Sequence, residues 1–172
     1  MQTATLVPVE EYLKTTYRPD RDYVDGVLVE RNVGEQYHSD LQGELIYFFR
    51  SRRREWRVIA YPEQRIQTGA RRFRIPDICV VLEPKPAEQV FTQPPFICIE
   101  ILSPEDTVAS TQDRIDDYLR FGVPNVWVID PRSRRAWVCT SEGSREVKDG
   151  ILRTQDPPLA ISLAEIFANL EP

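Results

Sequence analysis

The sequence predicts an α/β or α+β fold, a mixed sheet with helices packed on it, from three observations. Residues 75–82 and 96–102 are two nearly continuous apolar runs, the pattern of strands buried on both faces. Residues 126–129 form a third buried run, directly after a helix-spaced segment that is stopped by Gly122 and Pro124. Asp25-Gly26 lies between two strand-like runs, a hairpin signal because both turn residues take positive φ.

The elements follow in order. Pro8 opens a short first helix over residues 9–13. Residues 21–24 and 27–30 are the arms of the hairpin. Leu41, Leu45, Phe48 and Phe49 recur at helical spacing within residues 35–55, with Arg52, Arg53 and Arg54 at the far end. Short strands are expected at 56–60 and 64–67. Pro84, Pro86, Pro94 and Pro95 mark an exposed loop between the two long apolar strands. A helix over 106–121 comes next, then the 126–129 strand, and residues 135–140 as its antiparallel partner. Ser162-Leu163-Ala164-Glu165 has the capping-box pattern and opens a terminal helix. There is no internal repeat or low-complexity tract, so residues 1–172 read as one domain.

Composition narrows the function. The 172 residues carry 22 Lys plus Arg against 27 Asp plus Glu, a net charge of −5, which argues against a surface built for loose nucleic-acid binding but leaves room for a local basic patch. With 41% hydrophobic and 28% charged residues the chain is globular, not disordered. No apolar run approaches the roughly 18 residues of a membrane span. Met1 to Thr5 lack the basic and apolar parts of a secretory signal, and three cysteines are an odd count for a disulfide framework. A cytoplasmic setting is the simplest expectation.

The chemistry centres on two acids inside apolar strands, Asp77 and Glu100. A buried carboxylate costs several kcal/mol unless it is paired or bound to a cation. If the two strands pair antiparallel, both acids converge on one face and, with a main-chain carbonyl, offer hard oxygen ligands to an ion such as Mg²⁺. Alternatively, each acid sits at a strand end, solvated or paired with arginine. Two nearby carboxylates also repel, so one should titrate high, and Asp77→Asn should leave the metal-free protein at least as stable.

Three segments then carry a resemblance: Arg74-Ile75-Pro76-Asp77-Ile78, Ile99-Glu100-Ile101-Leu102-Ser103-Pro104, and the run from Tyr118 to Pro131. They resemble the Uma-two family of endonucleases, long called domain of unknown function 820, over nearly the whole chain. The opening Val9-Glu10-Glu11-Tyr12-Leu13, the Asp25-Gly26 hairpin and His38 belong to the same likeness. The resemblance implies a restriction-endonuclease-like fold, with a mixed central β-sheet flanked by α-helices and the PD-(D/E)XK signature. It implies a Mg²⁺- or Mn²⁺-dependent endonuclease acting on DNA, with Asp77, Glu100 and the Ile101 carbonyl as ligands. A homodimer is what double-strand cleavage by this fold usually implies.

The sequence leaves that pattern at one position. The lysine of the signature is replaced by Leu102. Relatives with leucine there commonly place a lysine four residues before the tyrosine of the next helix; here Arg114 precedes Tyr118 by four. The chain has 19 arginines and only Lys14, Lys85 and Lys148, none near either place. Arginine clamps phosphate well but stays protonated. A catalytically degenerate nuclease fold that binds nucleic acid or protein is therefore the rival reading, and a structural, dimerising protein is a third.

Other candidates are weaker. Asp22 is either a third site acid or a hairpin residue facing water. His38 lies on the apolar stripe of its helix, where a lone histidine is usually a hydrogen-bonded core residue. Cys79 and Cys98 share faces with Asp77 and Glu100 and read as small core residues. Arg71, Arg72 and Arg74 could grip a DNA backbone or simply be solvated, whereas Arg50 to Arg54 suit the C-terminal dipole of a helix.

Overall fold

A computed structural model describes residues 5–32 and 34–170. Residues 1–4, most of the segment without a signal pattern, lie outside the described residues, as do 33, 171 and 172. The chain runs α1 (Val9–Lys14), β1 (Arg21–Val24), β2 (Val27–Glu30), α2 (Gln36–Ser51), α3 (Arg53–Trp56), β3 (Val58–Pro62), β4 (Ile66–Gly69), β5 (Arg72–Arg74), β6 (Ile78–Leu82) and β7 (Ile97–Ile101). It continues through α4 (Val108–Phe121), β8 (Asn125–Asp130), β9 (Arg135–Thr140), β10 (Gly143–Glu146), β11 (Ile151–Arg153), β12 (Ala160–Ser162) and α5 (Leu163–Phe167).

The expected mixed central sheet is present, six-stranded in the order β10-β9-β8-β7-β6-β3. Only the β7–β8 pair is parallel, with α4 as the crossover between the two strands. One face packs on Leu41, Leu45, Phe48 and Phe49 of α2 and on Ile166 and Phe167 of α5. The other face, with Cys79, Val81, Cys98 and Val126, packs on Ile115 and Tyr118 of α4. Both faces are covered, which explains the continuous apolar runs of β6, β7 and β8. Cys79 opposes Cys98 in the β6–β7 register; both are buried and free, as small core residues.

Several boundaries differ from expectation for local reasons. The second helix breaks at Arg52, and Arg57 then turns left-handed at φ 53° to enter β3. Arg52 lies 3.7 Å over the Phe48 ring and pairs with Glu165, whereas Arg53 and Arg54 at the same basic end are exposed. The 84–95 loop is anchored by buried Phe91, which exchanges main-chain hydrogen bonds with Arg65 and Gln67. Strands β5, β10, β11 and β12 are short, three or four residues each, and lack a clear period-2 pattern in sequence. Among the described residues no helix is long and apolar enough to cross a membrane.

A second, antiparallel sheet has the order β2-β1-β5-β4. Its hairpin turns at Asp25 (φ 51°) and Gly26 (φ 98°), as the Asp-Gly signal requires. Buried charge ties this sheet to α4. Arg74 donates to Asp22 at 3.0 Å and to Asp117 at 2.7 Å, and all three side chains are at most 5% exposed. Asp22 also accepts from the Ile75 amide at 3.0 Å. Removing the shared cation would strand two buried carboxylates. Arg74→Met is therefore expected to cost about 3–5 kcal/mol in urea unfolding. A loss near zero would show that the three groups do not clamp the sheet to the helix.

Candidate active site

The chain ahead of β6 cannot join the ladder in the usual way. Pro76 has no amide hydrogen, and the Ile75 amide is already bound to Asp22. Residues 75–77 therefore lead into the strand outside it, and β6 starts at Ile78. The Asp77 carbonyl accepts from the Glu63 amide at 3.2 Å and from Gln42 Nε2 at 2.9 Å, which fixes the bend. The antiparallel register pairs Ile78 with Ile99, so Asp77 stands opposite Glu100 one step beyond. Both acids are buried, and both line a cavity of about 230 Å³ with Arg31, His38, Ile101 and Arg114. The sequence expectation that the two acids converge is met.

Each carboxylate is already compensated. Asp77 Oδ2 accepts from the Ile101 amide at 2.7 Å. Asp77 Oδ1 pairs with the Arg31 guanidinium and lies 3.3 Å from His38 Nε2. Glu100 Oε1 accepts from the Tyr118 hydroxyl, and Glu100 Oε2 lies 3.2 Å from Arg114 Nε. Arg114 also donates to Asp106 at 2.8 Å, and Asp106 caps the Ser103 amide at 2.8 Å. So Arg114 projects from α4 toward the cavity and is held by Glu100 and Asp106.

These surroundings separate the two acids. Burial alone would raise Asp77, but Arg31 and His38 outweigh it and hold the carboxyl below its usual value. Burial dominates at Glu100; despite Arg114, and with the Asp77 charge added, it is pushed up to about 7. Burial would lower His38, yet its hydrogen bond to Asp77 raises it. One carboxyl of the pair is raised, as expected, and it is Glu100; burial is the larger cause and the Asp77 charge adds to it.

Not every expected residue reaches the cavity. Asp22 neither faces water nor lines it, being spent on Arg74 and Ile75. Arg74 is 4% exposed and committed to two aspartates, so it has nothing to offer a phosphate backbone. Arg72 pairs with Asp25 and Asp117. Arg71 is exposed but lies by the hairpin, donating to the Asp25 carbonyl at 3.3 Å. Tyr118 is fully buried behind Glu100 and supports it.

Two contributors were missed by sequence reasoning. Arg31 is one of 19 arginines and ends a hairpin arm without any local signal. Gln42 had a signal: it follows His38 by four residues on α2, the spacing that puts both on one helix face.

A divalent cation can be tested against this geometry. Among the described residues no three His, Cys, Asp or Glu side chains form a ready-made cation cage. Mg²⁺ rarely uses one; it is usually held by one or two carboxylates, water and substrate phosphate. Asp77 and Glu100 supply that donor set. The acids already gather positive charge: Arg31 pairs with Asp77, and Arg114 Nε lies 3.2 Å from Glu100 Oε2. The residues fit the ion, provided that Arg31 yields its place on Asp77.

The comparisons with known proteins agree with the fold. Residues 9–171 match the model of the Uma2 family, described as "Putative restriction endonuclease". A solved structure, described as a putative nuclease of domain of unknown function 820 from Anabaena variabilis ATCC 29413, superposes with a TM-score of 0.80. It is 22% identical, and the alignment covers 94% of this chain and 98% of the other. No curated protein matches.

Two stability effects follow for the metal-free protein in chelator. Asp77→Asn leaves Arg31 and His38 without their anion, so it should destabilise by about 3 kcal/mol, against the expectation from repulsion alone. Glu100 titrates higher folded than unfolded, so its contribution to stability is full below about pH 4 and is lost as pH rises through about 7. Glu100→Gln should therefore gain about 2 kcal/mol over wild type at pH 8 and almost nothing at pH 4.5. Unfolding curves at the two pH values check both; a Glu100→Gln gain independent of pH would contradict the burial argument.

Proposed function

The chain belongs to the Uma2 family of putative restriction endonucleases, and on that premise we propose that it is a metal-dependent nuclease hydrolysing phosphodiester bonds in DNA. The observation that carries this reading is the convergence of Asp77 and Glu100, from separate strands, on one cavity wall beside Arg114. Asp77, Glu100 and the Ile101 carbonyl would hold Mg²⁺ or Mn²⁺. Such an ion lowers the pKa of a bound water and stabilises charge on phosphoryl oxygens.

The chain's own residues do the rest. Arg114 is tied to Asp106, so its guanidinium is preset on the cavity wall and can donate to a phosphate oxygen as negative charge grows. It stays protonated and does not take a proton from the attacking water. Tyr118 fixes the rotamer of Glu100, and the Ile101 amide and His38 fix that of Asp77. A homodimer, cutting one strand per subunit, belongs to the same reading.

One observation favours a second reading, a degenerate nuclease fold that binds nucleic acid without cutting it. Both cations at the acids are arginines, and no lysine lines the cavity.

A plasmid-nicking assay with Mg²⁺ or Mn²⁺ separates the two. The wild type should nick, and Asp77→Ala should abolish nicking. Arg114→Ala should lower the rate by about 10²–10³-fold with cation binding largely kept, because its partner is the transition state. Arg114→Lys should preserve or raise the rate. A silent wild type with an active Arg114→Lys protein would establish the degenerate reading. Silence from both, with either ion, would remove the enzymatic assignment.

A further inference from the structure

We propose that Arg31 is a tethered counter-ion that occupies the cation position on Asp77 and competes with the divalent ion for it. The inference rests on the metal-dependent reading above and adds a residue that controls access to that site.

Arg31 directly follows β2, outside the strands that carry the acids. Its guanidinium pairs with Asp77 Oδ1, and Asp77 and Glu100 are the two carboxylates whose charge it feels most, with Asp22 next. Arg31 is paired with Asp77 on the wall of the cavity that Glu100 also lines, so it holds a carboxylate that a shared cation would use. Its seat is incomplete: Nη1 is buried without a hydrogen-bond acceptor among the described residues, 4.0 Å from Asp22 Oδ1. A buried guanidinium that forgoes one of its donors is held by charge more than by hydrogen-bond geometry. There is also space to move. Arg31 lines the 230 Å³ cavity and a neighbouring one of about 320 Å³, and Asp77 and His38 are shared by both.

Exchange follows from electrostatics. The buried acids need about one or two positive charges, and Arg31 and Arg114 supply them when no ion is bound. Arg114 has a second anchor in Asp106, whereas among the described residues the Arg31 guanidinium has only Asp77 within hydrogen-bond reach. A divalent ion binding Asp77 therefore displaces Arg31 first. Its apparent affinity is lowered by the strength of the pair it must break.

The test is calorimetric titration of the full chain with Mn²⁺, in wild type, Arg31→Gln and Arg31→Met. The amide keeps a donor for Asp77, and the thioether keeps the apolar stem, so one guards against misfolding of the other. Each neutral variant should bind Mn²⁺ at least about tenfold tighter than wild type, the gain from removing one competing charge in contact. Each should also lose melting temperature without metal and regain it with Mn²⁺. Asp77→Asn introduced on top should abolish the gain. Equal or weaker binding by a folded variant, with wild type binding Mn²⁺ well, would overturn the role of Arg31 and leave the metal-dependent reading intact. No binding by wild type or either variant would overturn that reading itself.

Discussion

Two carboxylates buried between apolar strands must be compensated by positive charge, and most of the local architecture around β6 and β7 serves that need. Asp77 takes Arg31, His38 and the Ile101 amide. Glu100 takes Tyr118 and Arg114. These partners come from the hairpin sheet, from α2 and from α4, so the acids fasten three separate parts of the chain to the central sheet. The Asp22–Arg74–Asp117 cluster repeats the arrangement away from the cavity, with anions on two elements and a cation between them. There the charges balance within the protein. At the cavity two arginines sit against the two acids, and Arg31 Nη1 is left without a hydrogen-bond acceptor among the described residues.

The same constraint separates the acids. Arg31 and His38 hold the Asp77 carboxyl below its usual range, while burial raises Glu100 to about 7. Two like groups one strand apart thus differ in proton affinity because of what surrounds them. Binding a divalent cation at neutral pH would complete the ionisation of Glu100.

Much of this was legible in the sequence because burial leaves a pattern. Strands covered on both faces must be apolar throughout, so β6, β7 and β8 stood out, and a charge inside such a run announced itself at Asp77 and Glu100. Arg114 was singled out by the family resemblance, which places a cation four residues before the helix tyrosine, and the helix brings that position near Tyr118. The ion-pair partners were not legible. Arg31 and Asp117 gain meaning only when distant elements meet, and nothing in their neighbours' identities distinguishes them from surface charges. For the same reason Arg74, left open between a phosphate grip and a solvated cation, and Asp22, left open between a site acid and a residue facing water, are found paired with each other. Short strands such as β5 and β11 escaped because three residues carry too little periodicity to be told from a loop.

The central claim is that the Asp77–Glu100 pair is a cation site held in reserve by Arg31. The most direct measurement is an anomalous-scattering map from crystals soaked in Mn²⁺. The expected result is one peak ligated by Asp77 and Glu100, with the Arg31 guanidinium moved off Asp77. A map with Arg31 still paired to Asp77 and no peak between the two acids would contradict the account.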